Sequence, residues 1–185
     1  MQHPTNTLHP DLLATQKLVY EPNELICTNI IKEAESEEYG AFDFDLNNHH
    51  IKFRVAKITP TKIGQFVTLW KRIGNGPIQP YDMADPIDLF VISVLNADHF
   101  GQFVFPKAVL LAKDILSKDG KGGKRALRVY PPWGNAVNLR NLAYYLLQKI
   151  GISVRIFARS KFKDKDAFTV SFESLKTYHL CATTR

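Results

Sequence analysis

Apolar and polar positions along this chain recur at spacings that predict a mixed α and β fold. In "HPDLLATQKLVY" (9–20) Leu12, Leu13 and Val19 fall near helical spacing, and Pro10 suits the first turn of a helix. Segments rich in β-branched and aromatic residues follow: "AFDFDL" (41–46), "IKFRVAKIT" (51–59), "QFVTLW" (65–70), "IDLFVISVL" (87–95) and "GQFVF" (101–105). The turn material "NNHH", "PTKIG", "GNGPIQP" and "NADHFG" separates them, so they read as an antiparallel meander. "KAVLLAKDIL" (107–116) reads as a helix ended by "SKDGKGG", and "KRALRVY" (124–130) as a strand stopped by Pro131 and Pro132. "NLRNLAYYLLQKIG" (138–151) is an amphipathic helix with Gly151 at its end, and "SVRIFA" (153–158) and "FTVSF" (168–172) add two strands.

Gly-Gln-Phe-Val stands at 64–67 and again at 101–104. Two copies fall short of a repeat architecture and predict two strands entered through similar turns, with Gln65 and Gln102 in equivalent structural positions.

Side-chain alternation locates the candidate chemistry. On a strand of period two, Phe53, Val55, Lys57 and Thr59 share one face, and Lys52, Arg54, Ala56 and Ile58 the other. Lys57 therefore continues an apolar face, where an ammonium either snorkels out at the strand end or meets an anion. Thr59 and Pro60 open the turn "TPTKIG", whose hydroxyl, amides and Lys62 suit a phosphate. On the next strand Thr68, Trp70 and Arg72 share a face opposite Val67, Leu69 and Lys71. A tryptophan beside two cations suits a stacked base with its phosphate on a guanidinium, and it suits an ordinary core tryptophan equally. Arg128 and Tyr130 alternate on a later strand, just before two prolines that stiffen the backbone around Trp133.

Charge sharpens this picture. The 185 residues carry a formal charge of +6, yet residues 1–50 hold nine Asp or Glu against Lys17 and Lys32 alone. From Ile51 to Arg72 there are six Lys or Arg and no carboxylate, and from Gly120 to Arg140 five and again none. Such stretches make a basic surface that attracts polyanions over a Debye length, or one that serves solubility alone. A hydrophobic share of 45% supports one buried core without a metal or disulfide staple, and Cys27 and Cys181 are too few for a disulfide framework. The start "MQHPTNTLHPD" is polar and no apolar run reaches membrane length, so the expectation is a cytoplasmic protein with no membrane association and no cofactor.

Four separated blocks, "EYGAFDFDL", "FRVAKITPTKIGQFVTLWKR", "GQFVFPK" and "GKRALRVYPPW", resemble in order and spacing the MepB-like proteins, a bacterial family named from an operon that also encodes a multidrug efflux pump. The resemblance covers roughly residues 35 to 135. It implies an α/β fold with a mixed central β-sheet flanked by helices, similar to the restriction-endonuclease core, and brings no established biochemical activity with it. After Trp133 the chain departs from the family's usual Gln-, Thr- and Trp-rich helix. The whole of 1–185 reads as one such domain, with a core of about 20–150 and a C-terminal extension at 151–185.

Nucleases of that core use an Asp followed by Asp/Glu-x-Lys on the next strand, the carboxylates holding Mg²⁺. Asp43 or Asp45 would stand for the first acid, Lys57 for the lysine, and Glu33, Glu35 or Glu38 for a further acid; the middle acid is missing, because Val55 stands two before Lys57. His49 and His50 read as a solvated turn, and Asp82, Asp85 and Asp88 as turn and capping residues. The sequence thus predicts a single cationic pocket lined by Arg54, Lys57, Thr59, Lys62, Lys71, Arg72, Arg128 and Tyr130, with Trp70 and Trp133 beside it. Its expected ligand is a nucleic acid or nucleotide, without a metal. The alternatives are a metal-dependent nuclease or phosphodiesterase, and a protein-interaction module of an efflux or stress operon.

Overall fold

The computed structural model describes residues 8–96 and 99–131, and the backbone of 159–160. The helix predicted over 138–151, the strands predicted at 153–158 and 168–172, and Trp133 lie outside the described residues. The chain opens with helix α1 (Pro10–Thr15), which continues as a π-helical stretch Gln16–Tyr20 and a 3-10 turn Glu21–Asn23. Strands β1 (Cys27–Lys32), β2 (Phe42–Leu46), β3 (His49–Val55), β4 (Lys57–Thr59), β5 (Lys62–Thr68), β6 (Trp70–Arg72) and β7 (Ile78–Pro80) follow. Then come β8 (Leu89–Asn96), β9 (His99–Pro106), helix α2 (Lys107–Ala112), β10 (Ala126–Val129) and β11 (Arg159–Ser160). The strands form a six-stranded sheet ordered β1-β2-β3-β8-β9-β11, a three-stranded sheet β10-β5-β4 and a two-stranded ribbon β6-β7. The fold is therefore mainly β with few helices among the described residues, built on a mixed central sheet.

That mixed character corrects the expected meander. β3 and β8 pair in parallel, Ile51 with Leu89 through Val55 with Ser93, while β1-β2, β2-β3 and β8-β9 pair antiparallel. Two parallel neighbours need a crossover. Here the crossover is the whole of β4 to β7, which places a second small sheet and a ribbon over one face of the main one.

Two further boundaries differ for local reasons. The single strand expected over 51–59 is broken at Ala56, whose amide donates to Ser93 O (2.9 Å) as the chain leaves the main sheet for the small one. The helix expected over 107–116 ends at Ala112, because Asp114 takes φ +54° and Ile115 N turns back to Leu110 O (2.9 Å). Strand β1 was not anticipated, although Thr28, Ile30 and Ile31 carry a β-branched signal. β7 stands within "GNGPIQP", where the sequence predicts turn.

Alternation divides the main sheet into two faces. Phe42, Phe44, Leu46, Ile51, Phe53, Leu89 and Val91 pack with Leu12, Val19 and Tyr20 of the N-terminal helical segment into one core. Phe90, Ile92, Val94, Phe103 and Phe105 pack on the other face with Val67 and Leu69 from β5 and its exit, Leu110 from α2 and Val129 from β10. Gln65 and Gln102 are both buried inside their strands and have a structural role, though their partners lie outside the turns: Gln65 donates to Leu95 O (3.2 Å) and Gln102 to Thr15 Oγ1 (2.7 Å). On β2 and β3 this second face is polar, carrying Asp43, Asp45, Lys52 and Arg54. The small sheet and the ribbon border this polar face and carry the candidate site.

Candidate functional site

The small sheet aligns several of the sequence-predicted residues. Lys57 on β4 and Arg128 on β10 both pair with Phe66 of the central strand β5. Equivalent register puts the three side chains on one face, with the two cations about two strand spacings, roughly 10 Å, apart. Arg128 lies over the Phe66 ring (5.6 Å to the centroid), Phe66 meets Tyr39 edge-on (6.2 Å), and the Lys57 ammonium lies over Tyr39 (4.6 Å). Beyond Thr68 on the same face stands Trp70, with the Arg72 guanidinium 5.7 Å from its ring. Three aromatic rings therefore follow one another, each with its own cation. Between Tyr39 and Trp70 lies an open hollow of about 530 Å³ lined by Ser36, Glu37, Glu38, Tyr39, Thr68 and Trp70.

The rest of the predicted turn holds Arg128 in place. Its Nη2 donates to Thr59 Oγ1 (2.7 Å) and its Nη1 to Gly64 O (3.2 Å), so the hydroxyl and carbonyls of this turn orient a guanidinium. Lys62 is exposed. Tyr130 covers Gly64, where φ is +80° and any Cβ would come within 2.7 Å of the tyrosine ring and 2.9 Å of Val129 O. Only glycine fits that approach.

On the other side of Trp70 a second cleft of about 360 Å³ opens over the polar face of β2 and β3, lined among others by Glu33, Asp43, Lys52, Trp70, Arg72 and Asp85. Its floor is an ion-pair network. Arg54 is fully buried and gives Nη1 to Glu33 Oε1 and Nη2 to Glu33 Oε2, both at 2.7 Å, with further donations to Phe53 O and Tyr81 Oη at 2.9 Å. Lys52, the cross-strand partner of Asp43, donates to Asp43 and to Glu33 Oε1 (3.3 Å) and stands 5.4 Å from the Tyr81 ring centroid. Burial pushes the Asp43 carboxyl up from its ordinary value, only partly offset by Lys52. Burial also opposes the charges on Lys52 and Arg54, but Tyr81, Glu33 and Asp43 outweigh it and hold both bases above their usual range.

The predicted cations thus occupy two adjoining features rather than one pocket. Arg54 is sealed beneath the cleft by Glu33 and Tyr81, so it supports the floor instead of facing a ligand. Lys57, Thr59, Lys62, Arg128 and Tyr130 belong to the small sheet, and Trp70, Lys71 and Arg72 to the ribbon edge. Most of the cations already have carboxylate partners: Lys57 with Glu38 (3.0 Å), Lys71 with Asp85, and Arg72 with Glu35 (2.6 Å). Sequence reasoning missed Tyr39 and Phe66. Phe66 carried a readable signal, since Gln65, Val67 and Leu69 fill the interior phase and leave Phe66 with Thr68 on the outer face.

Asp82 and Asp85 of "PYDMADPID" shape the turn, whereas Asp88 bonds across to β3. Asp82 accepts from Ser117 Oγ (2.6 Å), Ala84 N and Gly120 N (both 3.0 Å), and these bonds, the hydroxyl first, hold its carboxyl down at about 2. Asp85 accepts from Asp82 N (2.8 Å), and Asp88 from His50 N (2.7 Å). His49 and His50 open β3 rather than forming the expected turn, and His50 meets Asp45 through Nδ1 (3.1 Å). Among the described residues no group of three or more His, Cys, Asp or Glu is arranged to hold a metal ion, and no helix is long and apolar enough to cross a membrane.

A family model described as MepB-like matches residues 33–149, which includes the acidic stretch, the small sheet, the ribbon and strands β2, β3, β8 and β9 of the main sheet. A solved structure, the crystal structure of MepB, is similar with a TM-score of 0.63 and 29% sequence identity, covering 84% of this chain and 99% of that one. No curated protein matches.

Proposed function

The chain belongs to the MepB-like family, and on that premise we propose that it binds a phosphate-bearing ligand, single-stranded nucleic acid or a nucleotide, along the outer face of the small sheet. One observation carries this reading: Phe66, Tyr39 and Trp70 follow one another with Arg128, Lys57 and Arg72 against their rings. Bases stack on aromatic faces whatever their sequence, while interleaved cations neutralise the phosphates between them. Glu38 and Glu35 hold two of these cations in the free protein. Glu38 is well exposed and Glu35 about half-exposed, and ion pairs open to water are weak, so phosphates can take their place.

The test is filter binding of a labelled oligo-dT at two salt concentrations. We expect binding at low salt, with log K falling against log salt by about 0.7 per phosphate neutralised. No binding at low salt would overturn the reading. The double variant Glu35→Gln, Glu38→Gln frees Arg72 and Lys57 and is expected to bind roughly two- to tenfold tighter, the range that two ion pairs open to water allow.

A second reading, a metal-dependent nuclease of restriction-endonuclease-like core, has one observation in its favour. Asp43 and Lys52 are cross-strand partners on β2 and β3 with Glu33 beside them, so Lys52 is a better candidate than Lys57 for the lysine of such a site. The residues nonetheless fit a cation poorly. Both oxygens of Glu33 are held by Arg54, and His50 rather than a carboxylate stands two residues before Lys52. We expect oligonucleotides to survive incubation with Mg²⁺ or Mn²⁺. Cleavage lost in both Lys52→Ala and Asp43→Asn, with folding intact by circular dichroism, would establish the nuclease instead.

A further inference from the structure

The basic glycine-rich stretch 117–125 lies outside the row of rings and holds a defined backbone turn. Lys118 and Lys121 exchange both backbone hydrogen bonds (3.0 Å each way) around Asp119 and Gly120, which take φ of +53° and +71°. Positive φ at both central residues makes this a tight reverse turn of type I′. In such a turn the flanking residues form a hydrogen-bonded cross-strand pair with Cα atoms about 5.5 Å apart. Two lysines are therefore held side by side, and like charges directly opposite destabilise a ribbon. Neither has a carboxylate partner among the described residues, in contrast to Lys52, Lys57, Lys71 and Arg72.

The turn is also fixed from below. Gly120 N and Ser117 Oγ both donate to Asp82 Oδ2, Ser117 N donates to Tyr81 O (2.9 Å), Met83 N to Ser117 O (2.9 Å), and Gly123 N to Asp114 Oδ1 (3.2 Å). These carboxylates already occupy the amides of Gly120 and Gly123, so the outward donors of the turn are its two ammonium groups. A short chain of contacts joins it to the cleft beside Trp70: Lys71 pairs with Asp85, Asp85 accepts from Asp82 N, and Asp82 accepts from Gly120 N.

We propose that the Lys118–Lys121 turn is a second phosphate contact, and that the partner of this protein is therefore a nucleic-acid strand rather than a mononucleotide. This rests on the nucleic-acid reading above. A strand that stacks on Trp70 and continues past Asp85 brings its next phosphates to two cations that form no ion pair with a carboxylate among the described residues, although Asp119 lies between them in the turn. Bound phosphate relieves the repulsion between the two lysines. The fixed backbone of the turn spares the loop-ordering part of the binding cost.

The experiment titrates the full chain with adenosine monophosphate, a 4-nucleotide oligo-dT and a 16-nucleotide oligo-dT, and repeats each with Lys118→Ala, Lys121→Ala. In the double variant we expect unchanged affinity for the two short ligands, roughly tenfold weaker binding of the 16-mer, and a salt slope smaller by about 1.4, from two phosphate contacts at 0.7 each. An unchanged 16-mer affinity and slope overturns the inference while leaving the aromatic face intact as a binding site. So does a 16-mer that binds the wild type no better than the 4-mer. If the wild type binds none of the three, the nucleic-acid reading falls and this inference falls with it.

Discussion

Replacing Glu33 by Gln is expected to cost about 3–5 kcal/mol, the penalty for leaving one member of a buried ion pair without the other. The argument rests on asymmetry. Arg54 is fully buried and its Nη1 and Nη2 both end on Glu33, so a neutral amide keeps one acceptor, turns a donor towards the other Nη and leaves the buried guanidinium without this neutralising charge, with Phe53 O and Tyr81 Oη as its remaining acceptors. Lys52 loses one of its two carboxylates in the same step. For a chain of this size a loss of that order lowers the melting temperature by roughly 6–20 °C, readable by calorimetry or circular dichroism. The double variant Glu33→Leu, Arg54→Met removes both charges and is expected to recover most of the loss, because apolar replacement of a whole buried pair is often neutral or stabilising. A single substitution that leaves the melting temperature unchanged would mean that Arg54 is solvated in solution.

This network also explains what could and could not be read from the sequence. The alternation in "FDFDL" and "IKFRV" fixes which residues of β2 and β3 face the helical segment, and Phe42, Phe44, Ile51 and Phe53 are buried accordingly. Period two says only that Asp43, Lys52 and Arg54 share the other face. It does not say what covers that face. Tyr81, which supports Arg54, stands 27 positions away on the far side of the small sheet, and Glu33 stands 21 away on the other side. Arg54 therefore looked like a free cation when it is a buried structural one. Lys57 and Arg128 share a register with Phe66 because β5 lies between their strands, a pairing that depends on a crossover no local pattern encodes. Trp70 and Arg72 could be placed on one face from their spacing alone, and the structure puts that guanidinium against that ring.

Trp70→Ala is expected to weaken oligo-dT binding by roughly 5- to 150-fold, corresponding to the 1–3 kcal/mol that a stacked base loses when its aromatic platform is truncated. Trp70 is the residue common to both hollows, so its removal takes away the surface on which a strand would pass from the small sheet to the ribbon edge. The loss has a distinctive signature. No phosphate contact disappears with an indole, so the salt slope should match that of the wild type, whereas Lys57→Ala and Arg128→Ala should each lower the slope by about 0.7. An oligomer of abasic sugar-phosphate units sharpens the distinction, since it offers charge without a base to stack. Wild type and Trp70→Ala should bind that oligomer equally. Carrying out both measurements in a Trp133→Phe background leaves the emission of Trp70 as the optical signal in the parent protein, and base-containing strands should quench it while abasic strands do not. If Trp70→Ala lowers the salt slope, or weakens the abasic oligomer as much as oligo-dT, the indole acts by holding Arg72 in position, and the stacking part of the proposal is lost.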